Sequence, residues 1–214
     1  MPPFRAVLFD FDGTLADSFP AIAASVNHVR GLYGLPPLPV SKVVPHVGRG
    51  PEFLLSRTVP GCDPSRDGER YRSHHPLVMR PMTTLMPGAA RLVDQLHRSG
   101  IELGVCSNKP VAFTRELLAA LGVAERFVVV YGPEDVPRPK PAPDMLLAAI
   151  DRLGLPSHLA LYIGDTQMDI AAAQGAGMPV WAVTTGSDDR ATLEAAGPDR
   201  IYSGLDAVAE AWVA

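Results

Sequence analysis

The sequence predicts a doubly wound α/β fold, a parallel-sheet core with a small all-helical domain inserted after the first strand. Short continuous apolar runs recur along the chain, as strands covered on both faces require. Helical patterns stopped by glycine stand between most of these runs, and that alternation means a parallel sheet with crossover helices. The stretch from Asp17 to Thr84 breaks the rhythm and is far longer than an ordinary crossover.

The first strand is read at Phe4–Phe9, and Ile101–Cys106 and Phe127–Val130 follow it. Leu159–Ile163 and Val180–Val183 come next, with a weaker last strand near Ile201-Tyr202. Helices are expected over Ala89–Arg98, Val111–Leu121 and Asp144–Leu153, each with leucines on one face and Gly100, Gly122 or Gly154 just past its end. Pro110 and Pro143 stand where a first-turn proline belongs. The interrupting stretch carries helical pieces at Pro20–Tyr33, Pro51–Val59 and Ser65–His75 and no convincing strand. Residues 1–16 with 85–214 are therefore expected to form the core, and 17–84 the insert. Two links, near Ala16-Asp17 and from Pro81 to Pro87, would join them and allow hinge motion.

Composition narrows the function classes. The 214 residues are 47% hydrophobic, ordinary for a packed core. Lys+Arg number 19 against 23 Asp+Glu, a net charge of -4 that disfavours wrapping nucleic acid. No apolar run reaches the length of a membrane span. Cys62 and Cys106 make no disulfide framework, so a cytoplasmic protein with reduced thiols is expected.

The chemistry is concentrated at the ends of the strands. Asp10 and Asp12, in Asp10-Phe11-Asp12-Gly13-Thr14-Leu15, follow the first strand. Two adjacent carboxylates repel each other, and a divalent cation relieves that. An oxygen-only ligand set suits Mg²⁺ rather than zinc. A second pair, Asp165 and Asp169, follows the fourth strand in Gly164-Asp165-Thr166-Gln167-Met168-Asp169. Asp165 also fits as the N-cap of a helix starting near Gln167. If strands one and four are neighbours, all four acids converge. Ser107-Asn108-Lys109 follows the second strand and opens a helix, an arrangement that cradles anions and is equally common as a plain turn. Lys140 lies among Pro137, Pro139, Pro141 and Pro143, which aim its ammonium, although a lone lysine in such a stiff loop reads first as a solvated surface residue. A cation site, an anion cradle and a lysine at the carboxyl ends of parallel strands are the parts of a phosphoryl-transfer site.

In these motifs and their order the sequence resembles the haloacid dehalogenase superfamily of Rossmann-like hydrolases, among its members with a helical cap after the first strand. The resemblance implies that Asp10 is the nucleophile of an aspartyl-phosphate pathway and that Asp12 protonates the leaving alcohol and then activates water. It implies Mg²⁺ held by Asp10, the backbone carbonyl of Asp12 and Asp165, with Asp169 in or beside the ligand set. Ser107 and Lys140 would hold the phosphate, and Asn108 would orient it or the substrate. Within the superfamily, Val47-Gly48-Arg49-Gly50-Pro51, Tyr71-Arg72-Ser73-His74-His75 and Met86-Pro87-Gly88 look like phosphoglycolate phosphatases. The expected substrate is a small phosphorylated metabolite, 2-phosphoglycolate first, with Arg49 on its carboxylate and the enzyme a monomer or homodimer. Related caps serve β-phosphoglucomutases, pyrophosphatases and nucleotide phosphatases. A phospho-receiver domain is the rival from another class, although its acids fall in a different order. His74, His75, Cys106, Tyr162 and Trp181 are read as cap-lining or core residues.

Overall fold

A computed structural model describes residues 4–213. Its main sheet has six strands: β1 (Ala6–Phe9), β4 (Glu102–Cys106), β5 (Val129–Tyr131), β6 (Ala160–Gly164), β7 (Val180–Val183) and β8 (Arg200–Tyr202). They are ordered β5-β4-β1-β6-β7-β8 and every pairing is parallel. Helices α5 (Ala89–Arg98), α6 (Val111–Ala120), α7 (Asp144–Leu153), α8 (Gln167–Gly175), α9 (Arg190–Ala196) and α10 (Leu205–Val213) make the connections and close the chain. Alternate residues of β1 serve opposite faces. Val7 and Phe9 join one apolar cluster with Val105 and Ile163, and Ala6 and Leu8 join another with Tyr162 and Cys106. Both faces are buried, which is why the strands read as unbroken apolar runs. No helix among the described residues is long and apolar enough to cross a membrane.

The chain leaves β1, turns at Gly13 and enters the helical segment through β2 (Ala16–Asp17). Helices α1 (Phe19–Leu32), α2 (Val40–Val43), α3 (Pro51–Thr58) and α4 (Pro64–Val78) follow, with α4 packed on both α1 and α3. The chain returns through β3 (Thr84–Leu85). Val29, Leu54 and Leu55 of these helices share a continuous apolar cluster with Phe9 and Val105 of the sheet.

Some boundaries differ from the expectation. The two links are not free strands of chain. They pair antiparallel, Ala16 with Leu85 and Asp17 with Thr84. Two-residue strands carry no period for sequence reading to detect. The third main strand is shifted, with Val129–Tyr131 paired where Phe127–Val130 was expected. Phe127 instead closes a turn onto the Ala124 carbonyl at 3.1 Å and packs its ring edge-on against Phe9. Pro110 and Pro143 sit one residue before the first helical turn, as N-caps.

Candidate active site

Strand order reverses around β1, whose neighbours β4 and β6 belong to opposite wings of the sheet. The carboxyl ends of strands at such a point form a crevice. Phe9 is level with both Val105 and Ile163, so Asp10, Ser107 and Asp165 emerge at one edge. The loop after β5 brings Lys140 to the same place.

Asp10, Asp165 and Asp169 each offer a carboxylate oxygen, and these oxygens lie within 4.8 Å of one another. All three residues are buried. Lys140 is only 5% exposed, and its Nζ lies 2.9 Å from Asp10 Oδ1 and 2.6 Å from Asp169 Oδ1. It also donates to the Tyr162 hydroxyl at 2.8 Å. Burial pushes the Asp10 carboxyl up to about 6 against the pull of Lys140, and the Asp169 charge adds to the rise. Burial raises Asp165 well above the usual carboxylate range, with Asp10 and Asp169 reinforcing it. For Lys140, burial works against the ammonium, yet Asp10 and Asp169 outweigh it and hold the proton more firmly than in water. One ammonium therefore does not neutralise three clustered carboxylates.

That imbalance is the test of a cation site, and the residues fit one. Asp10 Oδ1 is buried with no hydrogen-bond partner among the described residues and meets Lys140 as an ion pair. The donors are all oxygens, as a hard divalent cation prefers.

The supporting groups explain how the acids are held. The Thr14 hydroxyl donates to Asp165 Oδ1 at 2.7 Å, and the Ser187 N–H donates to Oδ2 at 2.9 Å. Gly13 has φ +88° and Gly186 lies flush against Asp165, where a Cβ would sit 1.8 Å from Oδ2. Only residues without a side chain let the backbone come this close. Asp165 is not the N-cap of α8. Thr166 is, and Asp169 completes a capping box by accepting the Thr166 N–H at 2.9 Å. Asp169 thus caps the helix with one oxygen and holds Lys140 with the other.

Asp12 points elsewhere. Its Oδ1 accepts from the Ser18 hydroxyl and from Lys109 Nζ at 3.1 Å. The buried ring of His75 stands 3.4 Å from the same ammonium. Burial, then the Lys109 charge, lowers the His75 imidazolium to about 3, so the ring is neutral and accepts.

A narrow cavity of about 50 Å³ lies over these groups, with Asp10, Asp12, Ser107, Lys109 and Lys140 on its core side. Ile22, Leu54, Tyr71 and His75 of the helical segment face them, with the backbone of Gly48 and Gly50. The Asn108 amide is committed to backbone. Its Nδ2 donates to the Gly48 and Lys140 carbonyls at 3.0 and 2.9 Å, and its Oδ1 accepts the Lys140 N–H at 3.0 Å. In this arrangement it ties three loops together and has no free donor for a phosphate. Arg49 does not enter the cavity. Its guanidinium stacks over the Phe53 ring at 5.0 Å and lines a neighbouring opening. The backbone turns at Gly48 and Gly50 come close while the side chain swings out.

Sequence reasoning named Lys109 and Thr14 only within their motifs, without a role of their own, and passed over Ser18 and the Tyr162 hydroxyl. Tyr162 is buried, as expected, and its hydroxyl donates to the Cys106 carbonyl at 2.7 Å beside Lys140. The signal for Lys109 was its place next to Ser107-Asn108 on a strand-end loop.

Comparison with known proteins agrees with this geometry. A family model described as haloacid dehalogenase-like hydrolase matches residues 7–183. Phosphoglycolate phosphatase from Escherichia coli (strain K12) is 32% identical, with 94% of this chain and 90% of that protein covered. The phosphoglycolate phosphatase of Salmonella typhimurium is 33% identical over the same shares. Among solved structures, a haloacid dehalogenase-like hydrolase from Bacteroides fragilis is 30% identical with a TM-score of 0.88, covering 94% of this chain and 98% of that one. A predicted phosphoglycolate phosphatase from Haemophilus somnus is 26% identical with a TM-score of 0.88 and 99% coverage of both chains. These matches set aside the phospho-receiver reading. The chain belongs to the haloacid dehalogenase-like hydrolases, alongside relatives that are phosphoglycolate phosphatases.

Proposed function

We propose that the protein is a Mg²⁺-dependent phosphatase that hydrolyses a small phosphate monoester, 2-phosphoglycolate first, through an aspartyl-phosphate on Asp10. One observation carries this reading. A buried carboxylate oxygen without a hydrogen-bond partner among the described residues stands 2.9 Å from a buried ammonium, in a cavity between the sheet edge and the helical segment. Such an oxygen is available as a nucleophile.

Asp10 and Asp165, with the backbone carbonyl of Asp12, would hold the ion, and Asp169 would stand behind them holding Lys140. When bound, the ion supplies positive charge that offsets the repulsion between carboxylate and phosphate. Lys140 and the Ser107 hydroxyl hold phosphate oxygens. An Asp10 oxygen attacks phosphorus, and the bond to the leaving oxygen breaks. Asp12, protonated, gives its proton to that oxygen and the alcohol departs. Asp12 then takes a proton from water as the water oxygen attacks phosphorus. The Asp10–phosphorus bond breaks, and inorganic phosphate and free Asp10 result. Ser18 and Lys109 keep Asp12 on the leaving-group side.

Helices α1–α4, residues 17–84, act as a cap that selects the leaving group. The relatives that are phosphoglycolate phosphatases favour this substrate over the mutase-like and nucleotide-phosphatase alternatives. With Arg49 turned away, the backbone of Gly48 and Gly50 at the N-terminus of α3 is the better candidate for a substrate carboxylate.

A panel of phosphorylated metabolites, assayed with Mg²⁺ and ranked by kcat/KM, tests the reading. 2-Phosphoglycolate should lead, and pyrophosphate or a sugar phosphate should trail. Preference for a hexose phosphate would overturn the substrate assignment, and absence of turnover on every monoester would overturn the activity.

A further inference from the structure

Lys109 joins the two sides of the cavity. Its side chain is 4% exposed, and its Nζ lies 3.1 and 3.4 Å from the two oxygens of Asp12, which follows β1. The same Nζ lies 3.4 Å from Nε2 of His75, on α4. The His75 ring is itself fixed. It stacks on Tyr71 of α4 at 5.2 Å and meets Phe113 of α6 at 5.4 Å. Its Nδ1 lies 3.0 Å from the Ser25 hydroxyl of α1, which donates onward to the Ala21 carbonyl at 3.1 Å. With Nδ1 donating to Ser25, Nε2 carries the lone pair that accepts from Lys109. A chain of contacts thus runs from α1, through His75 and Lys109, to the Asp12 carboxylate.

We propose that Lys109 and His75 are positioning residues that fix the orientation of the Asp12 carboxylate, and that they do so only while α1 and α4 are seated on the core. An ammonium paired with one carboxylate alone can swing with it. Here the second contact comes from the helical segment, so the seated helices decide where the ammonium stands. Asp12 is then aligned for proton transfer when the cavity is closed and loses that alignment when it opens. This inference rests on the reading of Asp12 as the acid–base group.

The test separates proton transfer from general damage by varying the leaving group. 2-Phosphoglycolate releases an alkoxide that needs a proton, whereas acetyl phosphate, of similar size, releases a carboxylate that does not. In single-turnover measurements of leaving-group release, which the later attack of water does not limit, Lys109→Met should lower the rate on 2-phosphoglycolate by about 10- to 100-fold, the worth of a hydrogen bond to a charged group, and on acetyl phosphate by less than about threefold. His75→Leu should act in the same direction by about 3- to 10-fold, and His75→Gln, whose amide oxygen can accept as Nε2 does, should recover most of the loss. The histidine pair carries the test on its own if removing a buried cation prevents Lys109→Met from folding. Equal losses of this first-turnover rate on both substrates, an effect on KM alone, or no difference between His75→Gln and His75→Leu would overturn the proposal. Asp12→Asn serves as the reference. If it shows the leaving-group dependence and the Lys109 and His75 variants do not, the positioning role fails; if it does not, the role of Asp12 fails first.

Discussion

Mg²⁺ should stabilise the fold, and the size of that effect should depend on pH. The perturbation is removal of the ion with EDTA and its return, at about pH 7.5 and about pH 5. Without the ion, burial raises Asp10 to about 6 and lifts Asp165 well above the usual carboxylate range. A carboxylate raised in the fold holds its proton more tightly than the unfolded chain does. Its contribution to stability is therefore complete below the ordinary value and is lost as pH rises through the folded value. The ion takes the place of these protons. At about pH 7.5 Asp10 is ionised, and an ion at a hundredfold excess over its Kd adds about 2.7 kcal/mol. A chain of this size gains about 2–4 °C in Tm per kcal/mol, so the rise should be about 5–11 °C. At about pH 5, one unit below the Asp10 value, displacing that proton alone costs about 1.4 kcal/mol and halves the gain. The Asp165 proton takes away more. His75 acts oppositely. Its value is lowered to about 3, so its contribution is present above the ordinary 6.5 and is lost as pH falls. It is the same with and without the ion, so the difference between the two thermal unfolding curves isolates the carboxylates. Equal Mg²⁺-induced shifts at both pH values, or none at pH 7.5, would refute the reasoning.

Further predictions follow from the same geometry. Asp10→Asn should abolish turnover by several orders of magnitude while the protein stays folded; retention of a tenth of kcat, on the order of 1.4 kcal/mol, would remove it as nucleophile. Gly186→Ala would place a methyl 1.8 Å from Asp165 Oδ2, so it should eliminate the Mg²⁺-induced Tm shift and cut kcat about 100-fold or more, and a variant with normal Mg²⁺ response would contradict the packing. Arg49→Ala should change kcat/KM on both 2-phosphoglycolate and p-nitrophenyl phosphate by less than about threefold, as for an exposed cation–π contact. A tenfold loss confined to 2-phosphoglycolate would return Arg49 to the substrate. Tyr162→Phe should cost about 1 kcal/mol, or about 2–4 °C in Tm, for the lost hydrogen bond to the Cys106 carbonyl.

The layered architecture and the meeting of Asp10, Asp165 and Lys140 at one sheet edge were legible in the order of the residues. Apolar runs such as Ala6–Phe9 and Ala160–Gly164 are long enough to mark buried strands, and the acids and Lys140 stand immediately after them or in the next loop. A parallel sheet delivers strand ends to one edge whatever its side chains, so position along the chain was enough to bring Asp10, Asp165 and Lys140 together. Side-chain direction depends on tertiary packing. Arg49 sat between two glycines that gave its backbone freedom, and Phe53, four residues on, drew the guanidinium out of the cavity. Tyr162 looked like core because it stands inside the apolar strand Ala160–Gly164, and only the closure of β1, β4 and β6 put its hydroxyl on Lys140. Lys109 and His75 are 34 residues apart, with the end of α4, β3, α5 and β4 between them. Their contact exists because α4 folds back over the sheet edge, and no local periodicity encodes which residue of one element will face which residue of another.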